Sequence, residues 1–206
     1  MKKIVYPIIF LLIIVIIGVF LWRVLISPQY SLKKLEDAME ENNVTAFNKY
    51  VDLDATVDGI IEQTWNFYTS GETTGSRWSE IRNEIGSSLL SVVKPNIKEM
   101  VKKEVLSYIS TGQWPGSSPD NQNGISELVM NLIRDKIDPS QWDRQSINYT
   151  KIAGDTAYIG LTYYDESNKT NFIVEVKMRD MSGYWQVIEI SNIADILNIF
   201  QNIDDI

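Results

Sequence analysis

The sequence predicts an α+β fold behind an N-terminal transmembrane helix, with helices packed on a curved antiparallel sheet of about four strands. Three observations carry that expectation. The chain opens on an uncharged apolar run. Helical spacing of apolar residues then dominates to about residue 140, and alternation with a period of two dominates from 141. Helices grouped before strands pack on one face of an antiparallel sheet, which is expected to curl around them.

The opening run, residues 4–22, has 19 residues without a charge. As a helix it spans roughly 28 Å at ~1.5 Å per residue, close to a hydrocarbon core of about 30 Å. Pro7 falls in its first turns, where a helix tolerates proline best. A cleaved signal has a shorter apolar region of about 7–15 residues and a small-residue cleavage site. Arg23-Val24-Leu25-Ile26-Ser27-Pro28 offers no such pair, and the absence of Cys excludes a lipoprotein signal. An uncleaved anchor is therefore expected. Lys2 and Lys3 before the run outweigh Arg23 after it and favour a cytoplasmic N-terminus, although Lys33 and Lys34 pull the other way. The expected layout is a cytoplasmic start at 1–3, an anchor at 4–26 and an extracytoplasmic domain at 27–206. Within that domain, 27–140 is mainly helical and 141–206 is a β-meander with a closing helix.

Residues 31–42 read as a helix capped by Ser31, with Leu32, Leu35, Ala38 and Met39 on one stripe and Asn42-Asn43 as its stop. Thr45 can cap a short second helix carrying Phe47, Tyr50 and Val51. Residues 54–69 repeat apolar positions at spacings of three and four, and 70–76 is a polar loop. Residues 78–110 are helical, with Pro95 marking a break, bend or restart. The Gly-, Pro- and Ser-rich stretch 112–124 is a loop, followed by an amphipathic helix at 125–137. Strands follow at 145–152, 157–164, 171–178 and 184–190. Gly154-Asp155, Ser167-Asn168-Lys169 and Met181-Ser182-Gly183 are their turns. On the third strand Phe172, Val174, Val176 and Met178 share one face. Residues 192–200 form the closing helix.

Beyond the anchor the body is acidic. The net charge of the chain is −8, and all 27 acidic residues follow Tyr30, against 16 of the 19 basic ones. A surface of that sign repels nucleic acid, so no nucleic-acid partner is expected. The chain has neither Cys nor His. Disulfides, Cys/His metal sites and Ser-His-Asp or Cys-His nucleophile systems are thereby excluded, and no enzyme activity, cofactor or metal is expected.

Residues 27–52 carry Ser27-Pro28, Tyr30, Leu32, Leu35, Ala38, Glu41, Phe47 and Tyr50-Val51-Asp52. This pattern resembles the start of a bacterial family of membrane-anchored proteins of unknown function, with an S-P-x-Y…Y-V-D signature after a single anchor. The resemblance implies an anchor and brings no activity with it. The segment Gly183-Tyr184-Trp185-Gln186-Val187-Ile188-Glu189-Ile190 looks like the last hairpin of the nuclear-transport-factor-2-like (cystatin-like) domains. The early pair of helices, with Ala38, Glu41, Phe47 and Tyr50, looks like their start. That likeness implies a cone of curved sheet around helices. Such domains host enzymes, ligand binders and dimerisation modules alike, so the fold assigns no function. The chain departs from them in its length and in the extra helical sequence at 70–140.

Candidate functional residues are few. Asp155, Asp165, Glu166 and Asp180 lie at turns, where Asp is favoured for local hydrogen bonding and where a general base is the sharper alternative. Asp52 and Asp54 are expected to cap helices, and Asp204-Asp205 to be a solvated end. Lys94, Lys98, Lys102 and Lys103 form a basic stripe on one helix, with Glu99 and Glu104 supplying pairs within it. Among the aromatics, Trp114 in its Gly/Pro/Ser loop, with Tyr158, Tyr163 and Trp185 on the strands, are the candidates for ligand or partner contact. The expected function is a membrane-anchored, extracytoplasmic binding or interaction module at the bacterial cell envelope. Its expected partners are the lipid bilayer, through residues 4–26, and an envelope protein. The alternative is a pocket for a small apolar or aromatic ligand between sheet and helices.

Overall fold

The computed structural model describes residues 2–69, 77–112, 142–166 and 168–204. The expected loops at 70–76 and 113–124, Trp114, the helix expected at 125–137, Ser167 and Asp205 lie outside those residues. Helix α1 (Lys2–Leu25) carries the apolar run, and its side chains from Leu12 to Val19 and from Leu21 to Ile26 are exposed. Over Leu12–Leu25, the part of α1 whose side chains are described, no single helix is long and apolar enough to cross a membrane. Leu12–Leu25 and Pro28–Glu40, bent by 56°, meet the requirement as a pair.

Helix α2 (Pro28–Glu40) begins before the expected Ser31. Ser27 is extended, and its Oγ accepts a hydrogen bond from the Tyr30 N–H at 3.2 Å. Pro28 occupies the first turn, where its missing N–H has no intrahelical partner to lose. Ser31 is instead 1% exposed and accepts the backbone N–H of Trp185 at 2.8 Å. At the other end Asn42 takes φ 53°. The Asn43 N–H reaches the Ala38 carbonyl at 2.8 Å and the Asn42 N–H reaches Met39 at 3.2 Å, which is the Schellman pattern. Asn43 then caps α3 (Val44–Tyr50), accepting from the Ala46 N–H at 2.9 Å, so Thr45 is not the cap. Asp52 caps α4 (Leu53–Thr69) in the same way, its Oδ1 accepting from the Ala55 N–H at 3.0 Å. Helix α5 (Arg77–Thr111) runs without interruption through Pro95, so the chain does not break or restart there.

The strands β1 (Trp142–Ala153), β2 (Thr156–Asp165), β3 (Thr170–Asp180) and β4 (Trp185–Ile190) pair antiparallel in sequence order. Gly154, at φ +65°, opens the two-residue turn between β1 and β2. That left-handed conformation is the reason a glycine stands there. Strand β1 starts earlier than expected because bulges between Arg144 and Ser146 and between Ile147 and Tyr149 reset its alternation. Helix α6 (Ile193–Asp204) closes the chain.

One face of the sheet is covered by helices. Ala157, Ile159, Leu161, Phe172, Val174, Val176, Met178 and Val187 from the strands meet Leu32, Leu35 and Ala38 of α2, Phe47 of α3, Ile109 of α5, and Ile196 and Phe200 of α6. A second cluster, Val57, Ile61, Ile97, Ile193 and Leu197, joins α4, α5 and α6. The free edge of β4 is closed by a parallel bridge between Val51 and Val187 and by the Asp52 N–H on the Val187 carbonyl at 2.8 Å. Gln63 of α4 donates to the Ile190 carbonyl at 2.7 Å and accepts the Ile193 N–H at 3.1 Å. It thereby satisfies both the strand end and the first N–H of α6.

Ser31→Ala is expected to destabilise the full-length protein by about 1–3 kcal/mol, because it leaves the buried Trp185 N–H without a partner. Urea unfolding in mild detergent reads this directly, and an unchanged midpoint contradicts it.

Candidate functional site

The junction between α1 and the body is built around Trp185. Its ring is 6% exposed, and the indole Nε1–H donates to the Ile26 carbonyl at 2.9 Å. Its backbone N–H is held by Ser31. The last turn of α1 is further tied by the Ser27 Oγ, which donates to the Val24 carbonyl at 2.7 Å. Thus α1 passes into α2 with a capped bend, and β4 grips the bend from the far end of the chain.

The remaining candidates are spread over the molecule. Tyr158 is half-buried on the outer face of the sheet, in register with Lys151 and Lys177. Tyr163 lies on the helix-covered face. Its ring stacks on Phe172 at 5.9 Å and meets Trp142 at 6.2 Å. Trp142 in turn contacts Phe172 at 4.8 Å and Phe200 at 6.1 Å. The sequence marks Trp142 as a notable aromatic but favours Tyr163 as the contact residue, because Trp142 falls before the expected start of the strand at 145. Beside this cluster Arg144 grips Glu36 of α2 with its two terminal guanidinium nitrogens, at 2.7 and 3.0 Å. Burial raises the Glu36 carboxyl above its ordinary range, and Arg144 opposes that shift. Burial likewise raises the Tyr163 phenol. Tyr158, Tyr163 and Trp185 therefore do not converge on one site.

The outer face holds an arrangement that the sequence reading did not find. Tyr149, Gly160 and Glu175 are in register across β1, β2 and β3. The Tyr149 ring lies over Gly160, so close that an added Cβ would overlap its Cε1 edge. The phenol donates to one Glu175 oxygen, and the Ser191 hydroxyl donates to the other at 2.6 Å. A glycine inside a strand was the available signal, since it often marks a close approach. Hydrogen bonds from Ser191 and then Tyr149 hold the Glu175 carboxyl below its usual range. The bond to Glu175 pushes the Tyr149 phenol up to about 12.

Lys94, Lys98 and Lys102 of the basic stripe on α5 face carboxylates of α4, and Lys102 also makes the pair with Glu99 expected within α5. Lys98 pairs with Asp58 at 2.8 Å and Asp54 at 3.1 Å, and Lys102 pairs with Asp54 at 3.0 Å and Glu99 at 3.3 Å. Lys94 lies 3.9 Å from both Asp58 and Glu62. Asp54, expected to cap a helix, serves as an ion-pair partner instead, and its carboxyl is held low by Lys102 and Lys98. The turn carboxylates make local hydrogen bonds. Asp165 accepts from the Asn168 N–H and side-chain amide at 3.3 and 2.9 Å, and Asp180 from the Ser182 N–H at 2.7 Å. Asp155 accepts from the Thr156 hydroxyl at 3.1 Å. Among the described residues no three carboxylates converge as metal ligands.

Two outcomes follow for the outer-face network. Gly160→Ala forces the Tyr149 ring off Glu175 and is expected to cost about 1 kcal/mol, a figure kept low by solvent screening. In ultraviolet titration Tyr149→Phe removes a phenol that ionises near 12 in the parent protein. The contribution of Tyr149 is present below its unfolded value of about 10 and is lost as pH rises through the raised folded value. That of Glu175 is present above about 4.3 and is lost as pH falls through the lowered one. A flat stability profile in Tyr149→Phe identical to that of the parent contradicts the network. Compared with protein-family models, curated proteins and solved structures, the chain has no match.

Proposed function

We propose that this chain is a single-pass membrane protein of a bacterial cell envelope, whose body, residues 27–206, works outside the cytoplasm as a binding or interaction module. The observation that carries the reading is the uncharged run of residues 4–22, which falls inside α1 and leads into the body without a flexible linker. Water does not tolerate a helix whose described side chains are exposed and apolar from Leu12 to Val19. Lys2 and Lys3 favour a cytoplasmic start.

A non-catalytic role is supported by where the reactive groups go. His and Cys are absent, and Asp155, Asp165 and Asp180 are engaged in turn hydrogen bonds. We read the body as a variant of the nuclear-transport-factor-2-like cone. The rings of Trp142, Tyr163, Phe172 and Phe200 face one another where such a cone would hold a small ligand, which favours a protein partner over a pocket. Among the described residues strand β1 is an edge of the sheet, and it exposes Ile147 and Ile152, a surface suited to such a partner.

In cells expressing the full-length chain, the protein is expected to stay in the membrane pellet after alkaline carbonate extraction. Protease added to intact spheroplasts is expected to degrade the body. Mature protein in the medium, trimmed of its first twenty-odd residues, overturns the anchor, and a body protected in intact spheroplasts reverses its side.

A further inference from the structure

We propose that the end of the body nearest α1 carries a second membrane contact, an aromatic and lysine patch that sits on the anionic headgroups of the bilayer entered by α1. The inference rests on the anchor reading given above and adds a surface to it. The Trp185 indole is bonded to the Ile26 carbonyl, so its chain neighbour Tyr184 lies beside the end of α1. Tyr184 meets the ring of Tyr50 edge-on at 5.7 Å. The Lys49 ammonium lies over both rings, 4.9 Å from Tyr184 and 5.2 Å from Tyr50. On α2 the Lys34 ammonium of the second turn lies 5.7 Å from the ring of Tyr30 on the first, and Lys33 is next to it in the chain. These groups share the end of the body from which α1 leaves.

Amphipathic aromatics and lysines are the side chains that settle at a lipid–water boundary. The contrast with the rest of the body is one of charge. Beyond residue 26 the chain carries 27 acidic and 16 basic residues, yet this patch gathers Lys33, Lys34 and Lys49. Asp37 holds Lys33 at 3.2 Å and Lys34 at 3.0 Å, so that trio remains net positive. Lys33 is still 71% exposed. The sheet turns agree with the placement. The β1–β2 and β3–β4 turns lie at one end, joined by the Asp180 N–H on the Asp155 carbonyl at 2.8 Å. Met181, 40% exposed, and Ile152, 58% exposed, present apolar side chains there. Asp155 and Asp180 are exposed carboxylates at the same end, each accepting a local hydrogen bond, so the lysines of the patch set its attraction to lipid against these two charges. The β2–β3 turn lies at the opposite end, about 33 Å along β2 at ~3.3 Å per residue.

The chain has no Cys, so single labels are clean. A fluorophore is placed near the patch through Ser182→Cys, or at the far turn through Glu166→Cys. The full-length protein is reconstituted in phosphatidylcholine vesicles with and without phosphatidylglycerol, each containing headgroup-nitroxide lipid. The label at position 182 is expected to be quenched well above that at 166, and more so with phosphatidylglycerol. Since one lysine near an anionic surface is worth a factor of about five in binding, Lys34→Glu with Lys49→Glu is expected to remove most of that excess. For the unsubstituted patch, salt that shortens the Debye length to about 3 Å is expected to do the same. Equal quenching at 182 and 166 in protein that floats with the vesicles overturns the patch and leaves the anchor standing. Protein that does not float overturns both.

Discussion

Trp185 ties the last strand of the sheet to the junction of the first two helices. Its indole N–H reaches back 159 positions to the carbonyl at the end of the apolar helix, and its backbone N–H reaches the buried hydroxyl of Ser31. Both bonds land on the turn of chain where α1 becomes α2. A hydroxyl or an indole sealed from water must find a partner, so each of these groups constrains the others. The geometry leaves the body little freedom to swing about α1, because no flexible linker separates Leu25 from the first turn of α2. The sheet depends on the same arrangement. Strand β4 is short, and it is held from outside by Val51, Asp52 and Gln63, which come from the segments that α2 leads into.

The chain uses side chains where a longer sheet would use backbone. Asn192 accepts the Glu175 N–H at 2.8 Å and donates to the Ile173 carbonyl at 2.7 Å, continuing the β3 edge past the end of β4. Gln63 performs the same service between β4 and α6. Two short-range caps, Asn43 and Asp52, turn the backbone twice within ten residues and bring α3 and α4 against the sheet. Hydrophobic burial supplies the driving force, and these polar groups select which register it is realised in.

Much of the fold is legible in the sequence. The alternation of Phe172, Val174, Val176 and Met178 gives both the strand and its buried face. Asn42 at φ 53° is the stop that its side chain favours. Caps were harder to place, because several adjacent polar residues compete for each role. Ser27 outcompetes Ser31 since Pro28 suits the first helical turn, and Asn43 outcompetes Thr45 since it also lies beyond the left-handed Asn42. Trp142 and Tyr149 stand out as aromatics, but the faces they take do not, because bulges break the alternation of β1 and a period-two reading cannot follow them. The Lys98–Asp54 pair escaped for another reason: its partners are on different helices, and spacing along one helix reports only pairs within it. Trp185 was visible as an aromatic on a strand, but its hydrogen-bond partners are set by tertiary contact and leave no local trace.

The most direct measurement is hydrogen exchange at the Trp185 indole in the full-length protein, followed by NMR and assigned by the signal lost in Trp185→Phe. Exchange far slower than that of a free indole, with the Trp185 amide equally protected, is what a clamp on Ile26 and Ser31 requires. An indole exchanging at the rate of a free side chain contradicts it, and with it the fixed joint between helix and body.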